Sequence, residues 1–257
     1  MPVPNKTKAQ LIVALDVEAL SEVRTLVDQL SPVVDIFKVG SQLFTACGPA
    51  AVRFIQARGK KVFLDLKFHD IPNTVANAVR AAVGLSEALE RTMPAAKKNS
   101  AKHMGLFMFT VHTTGGVAMM KSAVEAAAKA AQKFEIIKPL VIGVTVLTSE
   151  EKGDNIPPLV LERAKMARHA GLDGVVASVQ EAALIRKEFG SEFVIVTPGI
   201  RSAGAQAGDQ KRIAAPGEAV KQGSNFLVVG RPILETPDPL KAAREIIKEM
   251  LINVSSI

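Results

Sequence analysis

Short apolar runs recur eight times along this chain, each separated from the next by a longer stretch, and that alternation restricts the fold more than any other feature of the sequence. The runs cover residues 11–15, 34–39, 62–66, 106–111, 140–146, 174–177, 193–196 and 226–229. They are rich in Val, Ile, Leu and Phe and show little period-2 alternation, as strands buried on both faces should. Between them, residues 17–30, 49–58, 73–89, 116–133, 159–170 and 180–189 read as amphipathic helices dominated by Ala, Leu, Glu and Lys, and residues 239–251 close the chain in the same way. Strands alternating with helices build βαβ units and a parallel sheet. An open doubly wound sheet competes with a closed barrel. Two observations favour the barrel. No G-x-G-x-x-G follows the first run. Polar residues also recur just after many different runs, where the eight βα-loops of a barrel converge on one face. The expected fold is α/β, a single-domain (β/α)8 TIM barrel over residues 1–257.

Length agrees, because 257 residues fit one such barrel of about 250, although two domains of about 100–150 residues would also fit. Hydrophobic residues make up 48% and charged residues 22%, an ordinary globular balance that argues against disorder. Cys47 is the sole cysteine, so no intrachain disulfide can form, which suits a reducing compartment. It is expected early on a helix, as a packing residue. Residues 1–10 are polar and lack the apolar core of a signal peptide, and no apolar run reaches the roughly 18–20 residues needed to span a bilayer. A cytoplasmic protein without a membrane partner is expected. The net charge of +7 admits nucleic acid, a membrane surface or an anionic substrate as partner. The basic residues are spread along the chain and there is no Trp or Tyr to stack on bases, so a small anionic ligand explains the charge at least as well as nucleic acid does.

The chemistry-bearing residues fall at the ends of the runs. Asp16 follows the first, Lys38 the second, and Asp65, Lys67 and Asp70 the third. Asp65 and Lys67 are two apart, so at an extended strand end they point the same way. A buried lysine is costly unless carboxylates compensate it, and Asp65 with Asp70 can do so. A lysine held between carboxylates keeps its proton and serves as a proton donor rather than a Schiff-base nucleophile. A structural ion pair closing the loop is the competing account. Ile71-Pro72 restricts the backbone, and Asn73 or Thr74 can cap the next helix.

His112 follows the fourth run, Thr148 and Ser149 the fifth, Pro198 and Arg201 the seventh, and Gly230 and Arg231 the eighth. Barrels often hold phosphate between the loops after strands seven and eight. Gly230 lets the backbone approach an anion, while Arg201 and Arg231 offer forked donors to its oxygens. Residues 202–210 are mostly small, as suits a lid, and Gln210 could add an amide donor. Two solvated arginines beside a loose loop are the alternative. The histidines form no H-x-x-x-H pattern, so no metal site is expected and His112 reads as a packing residue.

Together these residues resemble the orotidine 5′-phosphate decarboxylase family. Asp65-Leu66-Lys67-Phe68-His69-Asp70-Ile71-Pro72-Asn73-Thr74 is similar to the family's D-x-K-x-x-D-I-P-x-T signature, and Thr197-Pro198-Gly199-Ile200-Arg201 and Val229-Gly230-Arg231 add to it. The resemblance covers nearly the whole chain. It implies decarboxylation of orotidine 5′-monophosphate in pyrimidine nucleotide synthesis, with Lys67 as proton donor, Asp65 and Asp70 as flanking carboxylates, and Lys38 completing the catalytic set. It further implies substrate contacts from Asp16, Lys38, Asp65, Asp70, Ile71, Thr74, Thr148, Pro198, Arg201, Gln210, Gly230 and Arg231. It implies no cofactor and no metal, and a homodimer in which Asp70 and Thr74 reach the neighbouring subunit's site. Residues 90–105, rich in lysine, are longer than the family's usual connection there and are expected to be a solvated αβ loop. Sister barrels that share D-x-K-x-x-D act on sugar phosphates with Mg²⁺. The I-P-x-T continuation and the T-P-G-I-R loop argue against them. A binding protein without catalysis is the remaining reading.

Overall fold

The computed structural model describes residues 9–86, 105–147, 155–201 and 213–252. Its eight strands are β1 (Gln10–Ala14), β2 (Ile36–Gly40), β3 (Lys61–Phe68), β4 (Met108–His112), β5 (Leu140–Val144), β6 (Gly174–Val176), β7 (Val194–Thr197) and β8 (Phe226–Val229). Each falls on one of the eight apolar runs. All pair in parallel in sequence order, and β8 closes onto β1, with Ile12 opposite both Ile36 and Val228. The architecture is the (β/α)8 barrel.

Helices α1 (Leu20–Leu30), α2 (Ser41–Cys47), α3 (Pro49–Ala57), α4 (Pro72–Val83), α5 (Gly116–Lys133), α6 (Ile156–His169), α7 (Val179–Phe189), α8 (Pro216–Lys221), α9 (Arg231–Leu234) and α10 (Pro239–Ile252) follow the strands. The short α2, α8 and α9 were not anticipated, since 4–7 residues carry too few turns for a periodic pattern to show. Cys47 consequently ends a helix rather than beginning one. It packs against the core, and its thiol donates to the Glu18 carbonyl at 3.5 Å. The stretch expected to be helical to residue 89 leaves the α-helix at Val83 and passes into a 3₁₀ turn over Gly84–Ser86. The connection at 90–105 lies outside the described residues but for Gly105.

Strands of a closed barrel bury both faces, and two apolar clusters result. Ile12, Ala14, Ile36, Phe63, Met108, Ile142, Val194, Val196, Phe226 and Val228 fill the barrel interior. Their odd-numbered or even-numbered neighbours, such as Leu11, Val13, Leu15, Phe37, Leu64 and Phe109, pack outward against the helices. The period-2 alternation within each strand thus decides which residues continue inward at its C-terminal end. Ile12 and Ala14 lead to Asp16, Ile36 to Lys38, Phe63 to Asp65, and Val194 and Val196 to Pro198. Polar groups therefore replace apolar ones on the inner face where the barrel opens.

Local chemistry sets the entry to α4. Ile71 is its N-cap, with φ −58° and ψ 152°, and Pro72 occupies the first turn with no side-chain cap. This corrects the expectation that Asn73 or Thr74 caps the helix: proline holds the preceding residue extended and itself starts a helix readily, so the cap falls two or three residues earlier, at Ile71.

Candidate active site

A cavity of about 480 Å³ opens at the C-terminal ends of the strands. Ala14, Phe63, Val144, Val176, Val196 and Val228 line it from the inner core, and Asp16, Lys38, Asp65, Lys67, Arg201 and Arg231 supply its charge. Pro198 and Gly230 line it as well.

On one side the charges form a chain of alternating sign. Lys38 Nζ lies 3.0 Å from Asp16 Oδ1 and 3.8 Å from Asp65 Oδ2, and Lys67 Nζ lies 2.8 Å from the same Asp65 oxygen. Asp65 is only 8% exposed, so its charge needs this compensation. The Thr110 hydroxyl, on β4 and fully buried, donates to Asp65 Oδ1 at 2.9 Å and accepts the Lys67 backbone N–H at 2.9 Å. Gly40 completes the packing: a Cβ there would sit 2.9 Å from Lys38 Nζ.

Lys67 does not continue an extended strand. Its φ is +51°, and the pairing of β3 with β4 shifts register between Leu64 and Phe68. The left-handed conformation costs a non-glycine residue about 1–2 kcal/mol, and a bulge re-aims side chains. The two-residue spacing thus brought Asp65 and Lys67 together for a reason different from simple extension. Asp70 is also placed otherwise than expected. Among the described residues it makes no ion pair with Lys67. It accepts the Ile71 N–H at 2.6 Å, outside the cavity wall. Asp70, Ile71 and Thr74 are all solvent-exposed in the single chain, Ile71 to 67%.

Behind Lys67, His112 packs its ring against that of His69, centroids 5.4 Å apart. Burial first, then His69 and Lys67, push the His112 imidazole below its ordinary range, against the pull of Asp65. The charged form of the ring is thereby disfavoured.

At the opposite side, Arg201 and Arg231 share the cavity wall with Glu235. Burial, then the like charge of Arg231, lower the Arg201 pKa, while Glu235 opposes both. Two guanidiniums on one wall could hold an anion through their forked donors. Gly230 packs closely on Asp16: a Cβ there would lie 3.2 Å from Asp16 Oδ2, a tight contact to which the carboxylate would have to yield. Thr148 and Gln210 lie outside the described residues. Among the described residues, no three His, Cys, Asp or Glu side chains are grouped to hold a metal ion, and no helix is long and apolar enough to cross a membrane.

Sequence reasoning missed Thr110, Gln42 and Glu235. A lone threonine inside the run Met108-Phe109-Thr110-Val111 was the available signal for the first. Gln42 lines the cavity from α2 while its amide donates to Glu18 at 3.2 Å, and no motif marked it or Glu235.

The chain as a whole is similar to known proteins. The profile of the family described as "Orotidine 5'-phosphate decarboxylase / HUMPS family" matches residues 9–246. A protein of Moorella thermoacetica named orotidine 5′-phosphate decarboxylase is 47% identical over 252 residues, covering 95% of this chain and 92% of its own length. One of the same name from Geotalea daltonii is 48% identical over 255 residues, covering 96% and 98%. The crystal structure of orotidine 5′-phosphate decarboxylase from Lactobacillus acidophilus superposes with a TM-score of 0.76 at 33% identity, over 95% of this chain and all of that one.

Proposed function

This chain belongs to the orotidine 5′-phosphate decarboxylase family, and from that premise we propose how it converts orotidine 5′-monophosphate to uridine 5′-monophosphate and CO₂. The observation that carries the reading is the Lys67 ammonium held 2.8 Å from Asp65, at the mouth of a cavity whose far side is lined by two arginines.

The arginines fix the phosphate, and Asp16 with Lys38 holds the ribose hydroxyls, which sets the pyrimidine over the apolar floor beside Pro198. The substrate carboxylate then faces Asp65. As the C6–carboxylate bond breaks, its electron pair stays on C6, CO₂ departs, and Lys67 donates its proton to C6 to form the C6–H bond. Lys67 regains a proton from water after product leaves. Charge on C6 is greatest in the transition state, so a fixed ammonium beside it stabilises that state more than the ground state. Asp65 near the substrate carboxylate raises the ground state in the same sense. Thr110 orients the pair, because it ties one Asp65 oxygen and the Lys67 backbone together. Phosphate binding energy, remote from the reacting bond, is available to the charge array at the reacting carbon.

Asp70, Ile71 and Thr74, also proposed to contact substrate, are exposed on the single chain and do not line its cavity. Their place around the start of α4 supports a homodimer in which they complete the partner's cavity. Mixing inactive Asp70→Ala and Lys67→Ala subunits should restore activity on exchange; continued inactivity with exchange demonstrated would remove the shared site. The reading uses no metal or organic cofactor and a cytoplasmic setting. EDTA should therefore leave turnover intact, and its abolition would favour the Mg²⁺-dependent sister chemistry. The direct test is a spectrophotometric assay of orotidine 5′-monophosphate. Purified protein should convert it to uridine 5′-monophosphate, and a folded sample that binds the product but shows no turnover would refute the proposal.

A further inference from the structure

The anion side of the cavity contains an acid that its assigned ligand does not call for. Glu235 lines the same cavity as Arg201 and Arg231. It lies one helical turn beyond Arg231, with its backbone N–H bonded to the Arg231 carbonyl at 3.0 Å. The short helix α9 therefore presents a cation and an anion to one space, while Arg201 enters from the loop after β7. Glu235 is exposed to solvent and ends α9 as its C-cap, so neither the core nor a buried network holds it in place.

On the reading that Arg201 and Arg231 bind the substrate phosphate, we infer that Glu235 is an affinity-setting residue of that subsite, a resident counter-charge that relieves the two guanidiniums in the empty cavity and opposes the dianion when it arrives. The electrostatics follow from sign alone. The two guanidiniums repel each other, and a carboxylate sharing their cavity lowers that repulsion. The field acting on Arg201 has these components: Arg231 works against its charge and Glu235 supports it. A phosphate dianion gains attraction from both arginines, but it meets a fixed negative charge at the same wall. Binding therefore replaces part of an existing compensation and yields less than two uncompensated guanidiniums would. The consequence is a phosphate grip that is firm enough to orient the nucleotide and weak enough to release the product, which carries the same phosphate as the substrate. Because Glu235 is exposed, its influence is screened and modest.

The test is titration calorimetry of uridine 5′-monophosphate and of uridine against the wild type, Glu235→Gln and Glu235→Lys, at low and high salt. The nucleotide should bind about two- to fivefold tighter to Glu235→Gln, the size of one screened surface charge interaction, and tighter again to Glu235→Lys. Uridine, which lacks the phosphate, should bind all three equally, and the differences for the nucleotide should shrink at high salt. Unchanged or weaker nucleotide binding in Glu235→Gln would overturn the inference, as would an equal shift for uridine. A wild type that binds nucleotide no better than uridine would instead strike the phosphate assignment itself, and the inference with it.

Discussion

The two sides of the cavity both concentrate charge, but they compensate it differently. Beneath β1–β3, two carboxylates and two ammoniums alternate in sign, and every one lies within 4 Å of an opposite partner. Beside β7–β8, two guanidiniums face a common space, where burial and then the like charge of Arg231 disfavour the charged form of Arg201, and one exposed carboxylate opposes them. The first side is complete without ligand. Its geometry is held by buried Asp65 and Thr110, so it can act on a transition state without rearranging. The second side gathers like charges at one wall, which an anion would offset. On the proposed function, the first region serves the chemistry and the second the binding.

Four perturbations test that division. Lys67→Ala strikes the complete side and should lower kcat by about 10⁴-fold or more, combining loss of a general acid with loss of a fixed charge. Circular dichroism and product binding should be preserved, and near-normal turnover would dismiss Lys67 as donor. Arg231→Ala strikes the other side. It should lower kcat/KM about 10–100-fold, the value of one or two charge-assisted hydrogen bonds, mainly through KM. Added phosphite dianion should partly restore turnover of a substrate truncated at the phosphate in the wild type. Unchanged Arg231→Ala kinetics would place the phosphate elsewhere.

Thr110→Val keeps the shape but strands Asp65 Oδ1 and the Lys67 N–H. Chemical denaturation should show a loss of about 1–3 kcal/mol, together with a fall in kcat at constant KM. A change in KM alone would mean that Thr110 does not organise the charged pair. The smallest effect concerns His112. Its folded pKa lies below the ordinary value of about 6.5, so between the two the unfolded chain binds more protons and stability falls as pH drops through that window. Melting temperatures measured from pH 7 downward should decline less in His112→Asn than in the wild type; parallel curves would show that His112 is not the titrating group.

Much of this was legible along the chain. Eight apolar runs matched eight strands because a barrel strand buried on both faces has no polar face to interrupt it. Asp16, Lys38, Asp65, Lys67, Arg201 and Arg231 could be picked out because charges immediately after apolar runs have one place to converge in a barrel. Thr110 could not be weighed, since its role depends on β4 lying beside β3 with a register shift at Leu64 and Phe68. Asp70 departs from what spacing suggested within one chain: it lies just before α4, its carboxylate accepts the next N–H, and among the described residues it makes no ion pair with Lys67.

Hydrophobic alternation and residue type, which act locally, were enough to determine that this chain forms a barrel and that its mouth carries acids, lysines and arginines. Which charges pair, which repel, and which face away required the closed sheet. Coulomb interactions depend on separations between strands far apart in the chain, and a single left-handed residue at Lys67 re-aims the ammonium in a way that spacing cannot encode.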